Sequence, residues 1–196
     1  MAWYCLKEAA IQIGKDMPAS GLPHAGSGPR PSHGKNRRSR ERGQTVLEAL
    51  QRGHENIQSE FEGFQTAGGE DRYYLANRLL RELELHVTVA AEVLYPAVQA
   101  RIEQQSDRKA VTVMRGVWKE HQALRTLLAR VNESRTHDDG FVGQIDGLMQ
   151  HVQRYADLEE RDLFPLAQAV LGEPGLLRLK ARFQERREEL DHRLAV

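Results

Sequence analysis

Cysteine and long apolar runs are scarce in this chain of 196 residues, and each scarcity removes a class of protein. The one cysteine, Cys5, cannot close an internal disulfide, so the fold does not depend on an oxidising compartment. No apolar run approaches the roughly 20 residues that a membrane-spanning helix needs. The N-terminus makes a poor secretory signal. Ala2 to Leu6 lack a positive start, Lys7 and Glu8 interrupt them, and no apolar core follows. The expected location is the cytoplasm. Alternating β-branched residues are few, so no sheet is expected. There is no phosphate-binding loop, and Cys5 has no histidine close by in sequence to activate it. No catalytic residues are expected outside the helical core described below.

Charge of one sign is also missing overall, since 28 Lys and Arg balance 28 Asp and Glu. The balance is uneven along the chain. Residues 1–43 carry more Lys and Arg than Asp and Glu, so the remainder is mildly acidic. Within this tail, GLPHAGSGPRPSHGKNRRSRERG mixes Gly, Pro and Ser with a basic cluster and cannot bury enough apolar surface to offset its ordering entropy. It is expected to be a disordered arm. Lys35, Arg37, Arg38, Arg40 and Arg42 could neutralise phosphates. No aromatic residue interleaves them, however, and no recognition motif follows, so nucleic acid is not the expected partner.

From Thr45 the pattern becomes helical. Leu47, Leu50, His54, Ile57, Phe61 and Phe64 form one stripe. Leu75, Leu79, Leu83, His86, Ala90, Val93 and Ala97 form a second, with a kink or break expected at Pro96. After a plausible N-cap at Ser106-Asp107, Met114, Val117, His121, Leu124, Leu128 and Val131 form a third. Beyond the loop THDDG come Ile145, Leu148, Val152, Tyr155, Glu159 and Leu166, with Pro165 near the end. A last charged helix over about 175–193 would pack through Leu176, Leu177, Phe183 and Leu190. The expected architecture is an all-α, up-down antiparallel four-helix bundle over 44–171, with the disordered tail 1–43 before it and an extra helix in 172–196 packed on it.

Each of the first three stripes carries a histidine where an aliphatic residue would serve a plain core, and the fourth carries Tyr155 there. A buried polar side chain is costly unless it is paired or bound to a metal. His54, His86 and His121, with Glu159, Tyr155 and His151 near them, are the candidate metal ligands. The alternative is a set of neutral buried histidines satisfied by Glu159, Tyr155 and water. Nitrogen and oxygen donors without thiolate suit iron, zinc or manganese.

The chain also repeats itself. LEALQRGHENIQSEF followed by ELELHVTVAAEVLYPAV parallels WKEHQALRTLL followed by HVQRYADLEERDLFPLA. Leu94-Tyr95-Pro96 aligns with Leu163-Phe164-Pro165. His54 then matches His121, His86 matches Tyr155, Ala90 matches Glu159, and Glu82 matches His151.

The histidine of the first helix, the His86–Pro96 spacing, Glu120-His121, and Glu159-Glu160 before Leu-Phe-Pro together resemble the hemerythrin-like, or HHE cation-binding, family over roughly 44–170. The resemblance implies a four-helix bundle holding non-haem iron, one ion or two here. It also implies binding, sensing or handling of oxygen, nitric oxide or peroxide. His54, His86, His121 and Glu159 fall on the family's ligand positions. Ala90, Tyr155 and Arg125 stand where relatives carry Glu, His and His, with His151 and Glu82 one turn away as substitutes. Tyr155 itself offers a phenolate to ferric iron. The second reading is a metal-free bundle that serves as an interaction or regulatory module. Any catalysis would be redox chemistry at the iron.

Overall fold

The structure, a computed structural model, describes residues 45–134 and 140–194. The basic tail 1–43 and most of the THDDG loop lie outside the described residues. All regular structure among the described residues is helical.

Helix α1, Val46–Thr66, starts on a reciprocal cap. The Thr45 hydroxyl accepts from the Glu48 backbone N–H, and the Glu48 carboxylate accepts from the Thr45 backbone N–H at 2.6 Å. Gly68 then caps α2, Gly69–Val89. The second rod does not break at Pro96. It widens into a π-helical turn, Ala90–Leu94, and continues as α3, Tyr95–Gln105. Ser106 in the left-handed region (φ 56°) ends it. Asp107 caps α4, Arg108–Glu133, by accepting from the backbone N–H groups of Lys109 and Ala110. Helix α5, Phe141–Leu158, passes through a second π-turn, Glu159–Leu163, into the helical stretch α6, Phe164–Leu194, which bends at Gly172 (φ 62°).

Both π-turns end two residues before a proline, and the reason is local. Proline lacks an N–H and its ring crowds the carbonyl four residues back. Widening the turn relieves that carbonyl. The Tyr95 N–H reaches back to the Ala90 carbonyl and the Phe164 N–H to the Glu159 carbonyl, each five residues earlier. The internal repeat is thus visible as the same backbone irregularity at the same place in two rods.

The rods pack with α1 against α2, α4 against α5, and α6 against α1, α2 and α3. The predicted stripes face inward, with small corrections. Leu166 is only half-buried, because the π-turn rotates Leu163 and Ala167 into the core instead. In the final segment Leu177 is exposed, and Leu179 takes its place beside Leu176 and Phe183. Arg186–Glu92, Arg187–Glu82 and Arg81–Asp191 ion pairs fasten this segment to the second rod. Such exposed pairs contribute little, about 0–1 kcal/mol each, so the apolar contacts carry the docking.

The core is not continuous. One apolar cluster holds Leu50, Val89, Val117 and Leu163; the other holds Ile57, Leu83, Leu124 and Tyr155. Between these two sets, one from each rod, lie His54, His86, His121 and Glu159. The bundle therefore carries a polar layer across its middle, and all four of these residues are buried.

Candidate metal centre

Within that layer, α1 supplies His54, α2 supplies His86, and the second π-turn supplies Glu159. Their ligand atoms all lie within 4.8 Å of one another. His54 Nε2 is 3.0 Å from Glu159 Oε2, and His86 Nε2 is 3.6 Å from the same oxygen. The longer distance exceeds a hydrogen bond. His86 Nε2 is buried with no hydrogen-bond partner among the described residues. An unpaired buried nitrogen costs about 1–3 kcal/mol. Here that nitrogen faces a carboxylate oxygen that a second imidazole also faces, an arrangement that fits a cation at their centre.

Neighbouring side chains orient these groups. Glu160, next in sequence and a quarter exposed at its side chain, lies 2.7 Å from His54 Nδ1. Consecutive carboxylates of the wide turn therefore reach opposite nitrogens of one imidazole. A carboxylate on Nδ1 fixes the tautomer that leaves Nε2 free for a metal. The other oxygen of Glu159, Oε1, accepts from the Tyr95 hydroxyl at 2.5 Å and the Tyr155 hydroxyl at 2.8 Å. The ring of His86 fits only because α1 has glycine at 53. A Cβ there would sit 2.5 Å from His86 Nδ1.

Burial works against a charged His54, but its bonds to Glu159 and Glu160 outweigh burial and push its pKa up to about 9. Burial keeps His86 below its ordinary value despite the nearby Glu159. Glu159 itself would be raised by burial, yet the two imidazoles hold it well below the usual carboxylate range. Without metal the cluster is thus a protonated His54 between two carboxylates beside a neutral His86.

His121 is brought into the layer but not into the cluster. Its ring is walled by Trp118, Tyr95 and Tyr155, with centroids 5.5, 5.6 and 6.2 Å away. Neither nitrogen has a hydrogen-bond partner among the described residues. Burial and then the charge of Arg125 lower its pKa to about 4.

The Hemerythrin HHE cation-binding domain model matches residues 45–167, well over half of the chain and all four rods. The chain belongs to the hemerythrin HHE cation-binding domain family. A crystal structure of a hemerythrin HHE cation-binding domain-containing protein from Mycobacterium kansasii superposes with a TM-score of 0.64 at 22% identity, covering 76% of this chain and 88% of that one. An uncharacterised hemerythrin-like protein of Schizosaccharomyces pombe is 22% identical over 140 residues, which are 71% of this chain and 67% of the relative.

Of the residues expected to build the hemerythrin-like site, His54, His86 and Glu159 converge, and Tyr155 reaches Glu159 through its hydroxyl. The structure does not bring His151 in. It is half-buried on α5, with Nδ1 2.7 Å from Arg154 Nη2. Glu82 is held outside the cluster by Arg187 at 2.6 Å. Arg125 is exposed, and Ala90 is buried with no donor to offer. Sequence reasoning missed three residues. Tyr95 was signalled by the repeat, in which it replaces Phe164. Glu160 was signalled by the Glu-Glu doublet. Gly53 stands beside His54 in the middle of a helix, where glycine is disfavoured without a packing reason.

Proposed function

We propose that this hemerythrin-like chain binds non-haem iron through His54, His86 and Glu159, and uses it to bind or sense oxygen, nitric oxide or peroxide. The observation that carries this reading is the convergence of two imidazoles and one carboxylate within 4.8 Å in a fully buried layer, one imidazole nitrogen being unpaired. Imidazole and carboxylate suit iron, zinc or manganese by softness alone, and the hemerythrin-like resemblance tilts the choice to iron. Bound there, iron would supply an electron-rich centre for a diatomic ligand or peroxide. The chain's own residues hold and orient it. Glu160 sets the His54 tautomer, the two phenols set the rotamer of Glu159, and the two apolar clusters above and below exclude water.

A second reading is supported by the ion pairing of His54. Glu159 and Glu160 already satisfy both of its nitrogens, so this part of the layer needs no metal and would serve as the polar core of an interaction module. Metal analysis of untagged protein reconstituted anaerobically with ferrous iron separates the two. Iron retained through gel filtration, with an absorption change on adding nitric oxide or oxygen, is the expected result. The iron should be lost in His54→Ala or His86→Ala. A protein that retains no iron overturns the proposal in favour of the metal-free module, and iron retained equally in both variants overturns the assignment to His54 and His86.

A further inference from the structure

The internal repeat defines two half-sites, and only one of them has kept its donors. The intact half-site is His54, His86 and, from the opposite repeat, Glu159. Exchanging each residue for its repeat partner gives the other: His121, Tyr155 and Ala90. The carboxylate has become a methyl group and one imidazole a phenol. The repeat extends to the packing. Phe164 lies parallel to His54, with centroids 6.0 Å apart. Its partner Tyr95 packs edgewise on His121 at 5.6 Å. The Tyr95 hydroxyl, which Phe164 lacks, extends to Glu159 and Tyr155.

The distances decide what occupies the second position. Tyr95 Oη, Tyr155 Oη and Glu159 Oε1 form a triangle with edges of 2.5, 2.6 and 2.8 Å. Two oxygens bound to one metal at about 2.0–2.2 Å and at right angles would be about 2.8–3.1 Å apart, and further apart at tetrahedral angles. The two edges to Glu159 Oε1 have the size of hydrogen bonds to a carboxylate, about 2.5–2.8 Å, and the third is the contact between the two hydroxyls that donate them. On the other side of Glu159, the spacings to His54 and His86 of 3.0 and 3.6 Å bracket the edge of a coordination shell. One oxygen of Glu159 is therefore saturated by two phenols, and the other faces the intact half-site. Such a carboxylate cannot bridge two metals.

Resting on the cation reading above, we propose that this chain is a one-cation member of its family, in which the Tyr95 and Tyr155 hydroxyls take the place of a second metal and clamp Glu159 as a one-oxygen ligand. His121 is the stranded donor of the lost half-site. The phenols are positioning residues that act through Glu159 and are not themselves ligands.

The test is a count of iron and a spectrum. The full chain, titrated anaerobically with ferrous iron and desalted, is expected to keep about one iron per chain. After oxidation it should show no visible phenolate-to-iron band. About two irons per chain would overturn the proposal while leaving the cation reading intact, and no iron would overturn both. A phenolate band in one-iron protein would make a tyrosine a ligand and overturn the clamp. Tyr95→Phe keeps the ring and removes one donor. It should weaken iron retention against a chelator about tenfold at an unchanged count. Unchanged retention counts against the clamp. The triple exchange Ala90→Glu, Tyr95→Phe and Tyr155→His rebuilds the missing donors and should raise the count to about two. A folded triple variant that still holds one iron refutes the assignment, and if it does not fold, the wild-type titration and Tyr95→Phe still decide it.

Discussion

At the scale of single residues, the centre depends as much on a missing side chain as on the donors. Gly53 leaves no Cβ, and the imidazole of His86 fills the space. Glycine inside a helix costs roughly 0.5–1 kcal/mol relative to alanine, so alanine would normally stabilise α1. Here the added methyl would collide with His86 Nδ1 at 2.5 Å. Gly53→Ala is therefore expected to lower stability by about 1–3 kcal/mol, as overpacking does. It should also displace His86 and weaken metal retention at least as much as Tyr95→Phe. Thermal melting and chelator competition on the same sample check both. A variant more stable than wild type would show that His86 is not seated against α1.

At the scale of elements, the two π-turns matter most. Periodicity alone places Glu159 on the inner face of its rod. It does not anticipate that Glu159 and Glu160 both reach His54, because successive residues of an α-helix point about 100° apart. The widened turn is tied to Pro165, whose ring cannot tolerate a normal carbonyl four residues back. Pro165→Ala removes that constraint and allows the turn to tighten to α-helical hydrogen bonding. Overall helicity should then stay the same or rise slightly, while metal retention falls about tenfold through misplacement of Glu160. Circular dichroism together with a chelator titration distinguishes this from simple unfolding, and full retention would detach the turn from the site.

At the scale of the whole molecule, the polar layer sets how stability responds to pH. In the metal-free protein His54 titrates near 9 instead of 6.5, so its contribution is complete below about pH 6.5 and is lost as pH rises toward 9. His121 is held neutral down to about 4, so the unfolded chain takes up its proton first. Stability therefore falls as pH drops from 6.5 toward 4. The lowered pKa of His86 adds to the acid side. Together these give a melting temperature that is highest near pH 6.5 and declines on both sides. His121→Leu should remove part of the acid decline and leave the alkaline one. A profile that rises steadily from pH 6.5 to 9 would mean that His54 is not protonated between its carboxylates.

The four helical stripes, the three histidines on them and the internal repeat follow from the order of residues, because helical periodicity and the cost of burying polar groups act locally and can be read along the chain. The choice among donors cannot be read that way. His151 and Glu82 stand one turn from expected ligand positions; only tertiary packing shows Glu82 drawn away by Arg187, while His151 meets Arg154 on its own helix. His121 has the same helical credentials as His54, yet it faces three aromatic rings while His54 faces two carboxylates. Which imidazole meets a carboxylate depends on distances between rods, and those are set by two proline-linked π-turns and one glycine that bring side chains about a hundred residues apart in sequence into contact.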